Sequence, residues 1–150
     1  MQAAQAAGAR QWEALDAALS AAVREPRWLR AEHRVGDPRG YMRHLLYVDP
    51  QDRFVISAIT WLPGQASPVH GHQVWCAFGV AEGELTEEQF SPSGLQSLKT
   101  SVYRAGELAE RDLECTLVHR VSNRTRAPIV SLHLYGVAAA RVTSGINRVY

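Results

Sequence analysis

The chain has 150 residues, enough for one domain with one buried core, and its 16 basic and 15 acidic residues leave a formal charge of +1. That balance gives no electrostatic basis for a nucleic-acid or membrane-surface partner, and no apolar run approaches the roughly 20 residues of a membrane helix. The two cysteines, Cys76 and Cys115, are too few for a disulfide framework or a cysteine-rich zinc module, so a metal would be held mainly by histidine or carboxylate.

The N-terminus, MQAAQAAGAR, lacks the basic start and apolar stretch of a secretory signal, and a reduced, cytoplasmic protein is expected. Trp12, Leu15, Ala18, Leu19, Ala22 and Val23 recur at helical spacing, which predicts a helix from Gln11 to about Arg24. Glu25-Pro26 ends it, because proline disfavours the helical conformation in the residue before it. A second short helical stretch is read around Pro26 to His33, and Gly36-Asp37-Pro38 marks a turn. Residues 1–35 thus form a helical cap on a single domain that occupies residues 1–150.

From Tyr41 onward the texture changes to short segments rich in β-branched and aromatic residues. Phe54 to Trp61 is a strand closed by Pro63-Gly64. Val74 to Val80 and Glu84 to Phe90 are expected to pair as a hairpin around Ala81-Glu82-Gly83. Ser91-Pro92-Ser93-Gly94 is a turn, followed by strands near Leu98–Tyr103, Cys115–Arg120 and Ile129–Tyr135. Strands this short, separated by turns every 8–12 residues, indicate an all-β sandwich or barrel over residues 41–150.

Three of the six histidines fall at metal-ligand spacing. His70 and His72 are two apart in Pro68-Val69-His70-Gly71-His72, so on a strand both side chains point to one face and could chelate one ion. An ion held this way needs a further ligand from a distant strand. His119, in His119-Arg120-Val121-Ser122-Asn123, is the best candidate. The plainer alternative for any one histidine is a loop cap or a solvated side chain.

In Ile129–Tyr135, Ser131, His133 and Tyr135 alternate with Val130, Leu132 and Leu134, giving one polar and one apolar face. The polar face either meets water on an edge strand or lines the barrel cavity. In the second case Ser131 would fix the His133 tautomer and His133 would orient the Tyr135 hydroxyl.

The run Gly64, five residues, His70, one residue, His72, three residues, Cys76, six residues, Gly83 resembles the first cupin motif, with Cys76 where that motif normally carries Glu. His119 and Asn123 resemble the end of the second cupin motif, although Gly106 is displaced and no Pro-x-Gly precedes His119. The resemblance implies a cupin double-stranded β-helix, a jelly-roll barrel, beneath the short helical cap. Without the carboxylate, three neutral imidazoles would leave a divalent ion its full charge for an anionic ligand such as a thiolate. Three histidines alone suit zinc as well as iron.

More narrowly, the residues from Tyr41 to Tyr135 resemble the cysteine dioxygenase and related thiol dioxygenases. His119-Arg120-Val121-Ser122-Asn123 is similar to that family's third-ligand segment, Ser131-Leu132-His133-Leu134-Tyr135 to its serine–histidine–tyrosine relay, and Tyr41-Met42-Arg43 to its carboxylate-binding strand. The resemblance implies Fe(II) on His70, His72 and His119, with a small thiol acid and dioxygen as the partners and a sulfinate as the product. Ser131, His133 and Tyr135 would be catalytic, and Tyr41 and Arg43 would bind substrate. An arginine at position 43 goes with cysteine in the family, while His44-Leu45-Leu46 and Asp49-Pro50 resemble members that carry glutamine there and act on 3-mercaptopropionate. Arg43 is otherwise a surface arginine with a buried stem.

The resemblance also makes Cys76 and Tyr135 candidates for a thioether cross-link. The alternative for Cys76 is a small buried hydrophobe. Cys115 shares side-chain parity with His119 and is given no role. Arg141 and Arg148 could approach the site from the C-terminal segment. No protein partner is expected.

Overall fold

The computed structural model describes residues 2–150, and their side chains from residue 10 onward; residue 1 lies outside it. Helix α1 spans Gln2–Arg24, starting nine residues before the expected Gln11. Its first turns are rich in alanine, the strongest helix former, which favours helix ahead of the apolar periodicity. It ends where Pro26 forces an end. Instead of a second helix there is a single 3₁₀ turn at Ala31–Arg34.

Among the described residues nine strands follow: β1 Met42–Val48, β2 Val55–Trp61, β3 His70–His72, β4 Cys76–Glu82 and β5 Glu84–Phe90. The remainder are β6 Ser97–Arg104, β7 Val118–Ser122, β8 Ile129–Tyr135 and β9 Asn147–Val149. They form two antiparallel sheets, β1-β2-β8-β4 and β6-β5-β7-β3-β9, rather than one closed barrel. Ile59, Trp61, Phe78 and Ile129 of the first sheet and Leu85 and Val121 of the second fill a shared core between them.

Strand β8 lies inside its sheet, between β2 and β4, so its polar face is not a solvated edge. Leu132 and Leu134 pack with Leu19 and Val23 of α1. His133 and Tyr135 lie on the opposite face, toward the inter-sheet space. The helical cap therefore covers the apolar side of β8 and leaves its polar side to the interior.

Two expected features differ. β4 and β5 do not pair as a hairpin: β4 bonds to β8, whereas β5 bonds to β6 and β7. Gly83, at φ 83, is the corner where the chain leaves one sheet for the other, and a Cβ there would come within 3.1 Å of Ile129 Cγ1. The hairpin is β5–β6, around the Ser91–Gly94 turn.

The strand expected at Cys115–Arg120 begins only at Val118. Cys115 has φ 57, a conformation incompatible with a strand, within a loop gathered around the Asp112 carboxylate. Oδ1 of Asp112 accepts from the amides of Thr116 (2.9 Å) and Leu117 (3.3 Å). Cys115 consequently has no side-chain parity with His119.

Candidate metal centre

The antiparallel pairing of β3 with β7 sets His70 directly opposite His119, and His72 shares the face of His70. One ring nitrogen from each of these buried histidines lies within 4.8 Å of the others, close enough to share an ion. The outward nitrogens are engaged. Nδ1 of His70 donates to the Pro68 carbonyl (2.9 Å), Nδ1 of His72 to Oδ2 of Asp112 (3.0 Å), and Nδ1 of His119 to Oε1 of Glu87 (2.6 Å). Each bond fixes an Nδ1–H tautomer and leaves Nε2, with its lone pair, as the free ligand atom.

Burial keeps the His70 and His72 imidazoles neutral. His70 is pushed down to about 3, first by burial and then by the neighbouring His119. Burial also lowers His72, against the support of Asp112. Burial would raise the Asp112 carboxyl, but the bonds from His72, Leu117 and Thr116 outweigh it and hold Asp112 below its ordinary value. The His72–Asp112 contact is thus a neutral imidazole donating to a carboxylate, not an ion pair. A divalent metal fits this donor set: three ring nitrogens converge, and two carboxyl groups sit one imidazole away.

Around the histidines is a narrow cavity of about 20 Å³, near the space of one water. Tyr41, Arg43, Cys76, His133 and Tyr135 line it, together with Trp61, Phe78 and Asn147. A larger surface depression of about 510 Å³ is lined by Asp16, residues 108–114 and Thr116, and by none of the three histidines. Tyr41 stacks on Trp61 with ring centroids 4.6 Å apart.

Arg43 projects from β1 into the cavity. Its Nη1 donates to the Val142 carbonyl at 3.1 Å, while its Nε is buried without a partner among the described residues. Its guanidinium carbon is 5.5 Å from the centre of the Tyr135 ring. On β8, Ser131 Oγ is 2.8 Å from His133 Nε2, and His133 Nδ1 is 3.2 Å from the Tyr135 hydroxyl. Burial lowers His133 well below its usual range and raises the Tyr135 phenol. Cys76 is the cross-strand partner of Tyr135, and burial pushes its thiol up.

The C-terminal segment reaches the cavity through an unexpected residue. β9 adds to β3 with Asn147 opposite His72, and Asn147 lines the site. Arg148 instead pairs with Gly71 and lies over the Tyr150 ring, 5.6 Å from its centre. Arg141 sits in an exposed 3₁₀ turn and does not line the cavity. Asp112, Glu87 and Trp61 were also missed as site residues. Glu87 carried a usable signal, since on β5 it shares parity with the apolar Leu85. Asp112, in a loop, carried none.

A family model described as cysteine dioxygenase type I matches residues 5–142. Among solved structures the chain is similar to a protein of Thermus thermophilus, with a TM-score of 0.58 at 18% identity, covering 73% of this chain and 95% of that one. It is equally similar to a Klebsiella pneumoniae protein with a double-stranded β-helix domain, at TM-score 0.58 and 18% identity over 73% of this chain and 87% of the other. Oxalate oxidase in complex with glycolate follows at TM-score 0.53 and 20% identity, over 67% of this chain and 53% of that one. At these identities the structural likenesses establish the fold alone, a cupin-type double-stranded β-helix. The family match runs through both sheets and takes in all three converging histidines: this chain belongs to the cysteine dioxygenase type I family.

Proposed function

We propose that the chain is an Fe(II)-dependent thiol dioxygenase that oxidises the thiol of a small mercapto acid, cysteine favoured, to a sulfinate with O2. The reaction balances as a thiol plus one O2 giving one sulfinic acid, both oxygen atoms ending on sulfur. One observation carries the reading: three imidazoles converge with no protein anion among them, and a buried Arg43 Nε without a partner among the described residues faces the same cavity. Iron(II) bound there would supply a Lewis acid for a thiolate and redox chemistry for dioxygen.

The protein's own residues divide the remaining work. Arg43 holds the substrate carboxylate through charge-assisted hydrogen bonds, exchanging its bond to the Val142 carbonyl for the stronger anionic acceptor. Tyr41, stacked on Trp61, walls the carboxylate side. Tyr135 offers its hydroxyl to the reacting groups, while His133 and Ser131 set its orientation. The pairing of Cys76 with Tyr135 across β4 and β8 supports a thioether between them, whose formation removes two hydrogens with dioxygen as the oxidant. Both cysteines are free thiols, in keeping with a reducing cytoplasmic setting.

Oxygen uptake by iron-loaded protein, measured in parallel with cysteine, 3-mercaptopropionate and mercaptosuccinate, tests the reading. Thiol-dependent uptake with sulfinate formation is expected, fastest with cysteine. Preference for either of the other thiols would reassign the substrate. Metal binding with no uptake on any thiol would favour a non-catalytic cupin that senses a small anion.

A further inference from the structure

The relay on β8 does not end at Ser131. The indole Nε1 of Trp61, on β2, lies 2.9 Å from Ser131 Oγ in a buried contact. An indole N–H only donates, so this contact has one direction: Trp61 donates and Ser131 accepts. The serine then has its own proton to place. Its neighbours are His133 Nε2 at 2.8 Å and the Ile59 carbonyl at 3.5 Å, the limit of a hydrogen bond.

We propose that Trp61 is a positioning residue that sets the direction of the whole proton chain. Ser131, committed as acceptor to Trp61, donates to His133 Nε2. That nitrogen therefore carries no proton, and the neutral imidazole is the Nδ1–H tautomer. Nδ1–H donates to the Tyr135 oxygen, 3.2 Å away. The tyrosine's own proton is consequently turned away from His133, toward the cavity that holds His70, His72 and His119.

The opposite arrangement would run from Tyr135 to His133 to Ser131. There Ser131 would accept twice, leaving its proton only the distant Ile59 carbonyl, and Tyr135 would spend its proton on His133. A doubly protonated His133 is opposed by burial and by the nearby Arg43. Trp61 is itself locked: it is 2% exposed, its ring is stacked on Tyr41, and its backbone carbonyl accepts from Asn123 Nδ2 at 2.9 Å. A rigid strand residue thereby fixes the polarity of a hydroxyl three hydrogen bonds away.

The proton arrangement stands on this geometry and on the burial of His133, while its effect on turnover rests on the proposed dioxygenase activity. Long-range proton–nitrogen NMR of the full-length protein loaded with diamagnetic zinc reads the His133 tautomer directly. The Nδ1–H form is expected, and the Nε2–H form would overturn the proposal whatever the enzyme's activity. In Trp61→Phe, with melting temperature and metal content as controls, the Nε2–H form should appear. With iron and thiol, kcat should then fall at least about tenfold while KM stays within about twofold, the pattern of a misdirected proton donor. An unchanged tautomer in folded Trp61→Phe would also overturn it. If that variant fails to fold, the wild-type spectrum decides. Absence of turnover in wild type would count against the dioxygenase reading and leave the tautomer test intact.

Discussion

Oε1 of Glu87 accepts from Nδ1 of His119 at 2.6 Å, and the Glu87 side chain is fully buried. Its other oxygen accepts from the Tyr103 hydroxyl at 3.1 Å. Asp112 holds His72 in the same way, at 3.0 Å. The carboxylate that Cys76 displaces from the ligand set thus has two counterparts one imidazole further out, where they fix ring orientation and raise ligand basicity.

Replacing either acid by its amide should therefore weaken the metal site without removing a ligand. Glu87→Gln and Asp112→Asn are each expected to lower iron or zinc affinity by about 10- to 100-fold. Competition titration against a chelator measures this. Wild-type affinity in both variants would mean the acids serve the fold only.

Arg43 gives a prediction about selectivity. Removing a charge-assisted bond to the substrate carboxylate costs roughly 1.5–3 kcal/mol, so Arg43→Gln should lower kcat/KM for cysteine about 10- to 100-fold. A thiol amine without a carboxylate should be affected far less. Equal losses on both substrates, in steady-state assays, would show that Arg43 acts on something other than the carboxylate.

Acid should destabilise the metal-free protein. His70 ionises near its ordinary 6.5 when unfolded but only at about 3 when folded, so the unfolded chain binds more protons between those values. Stability is complete above that window and is lost as pH falls through it. From pH 7 to pH 5, His70 alone should cost about 2 kcal/mol, and His72 and His133 shift in the same direction. Denaturant unfolding at the two pH values measures the difference, and equal stabilities would contradict buried neutral imidazoles.

Gly79 on β4 lets the segment carrying Asp112 lie against the sheet edge. A Cβ there would come within 2.6 Å of Leu108 Cδ2 and 3.0 Å of the Glu107 carbonyl. Gly79→Ala should cost about 1–3 kcal/mol from overpacking and should also loosen the metal site through Asp112. Chemical denaturation and metal titration on the same variant test the two effects.

What the sequence disclosed follows from which interactions are local. The His-x-His pair and the alternation on β8 are period-two patterns on single strands, so the facing of His70, His72, Ser131, His133 and Tyr135 was legible. Helix α1 ended as Pro26 required. The supposed β4–β5 hairpin misled because a glycine corner between sheets and a hairpin turn look alike in sequence. Asp112 and Cys115 were opaque for another reason: a loop wrapped around one carboxylate has no periodicity. β9 is three residues long, and its pairing with β3, which brings in Asn147, is set only by the fold.

The fate of labelled oxygen tests the central claim most directly. Iron-loaded protein is given cysteine under ¹⁸O₂, and the product is weighed by mass spectrometry. The account predicts cysteine sulfinate with both oxygen atoms from the labelled gas. A sulfinate carrying oxygen from water, or disulfide as the sole product, would contradict it.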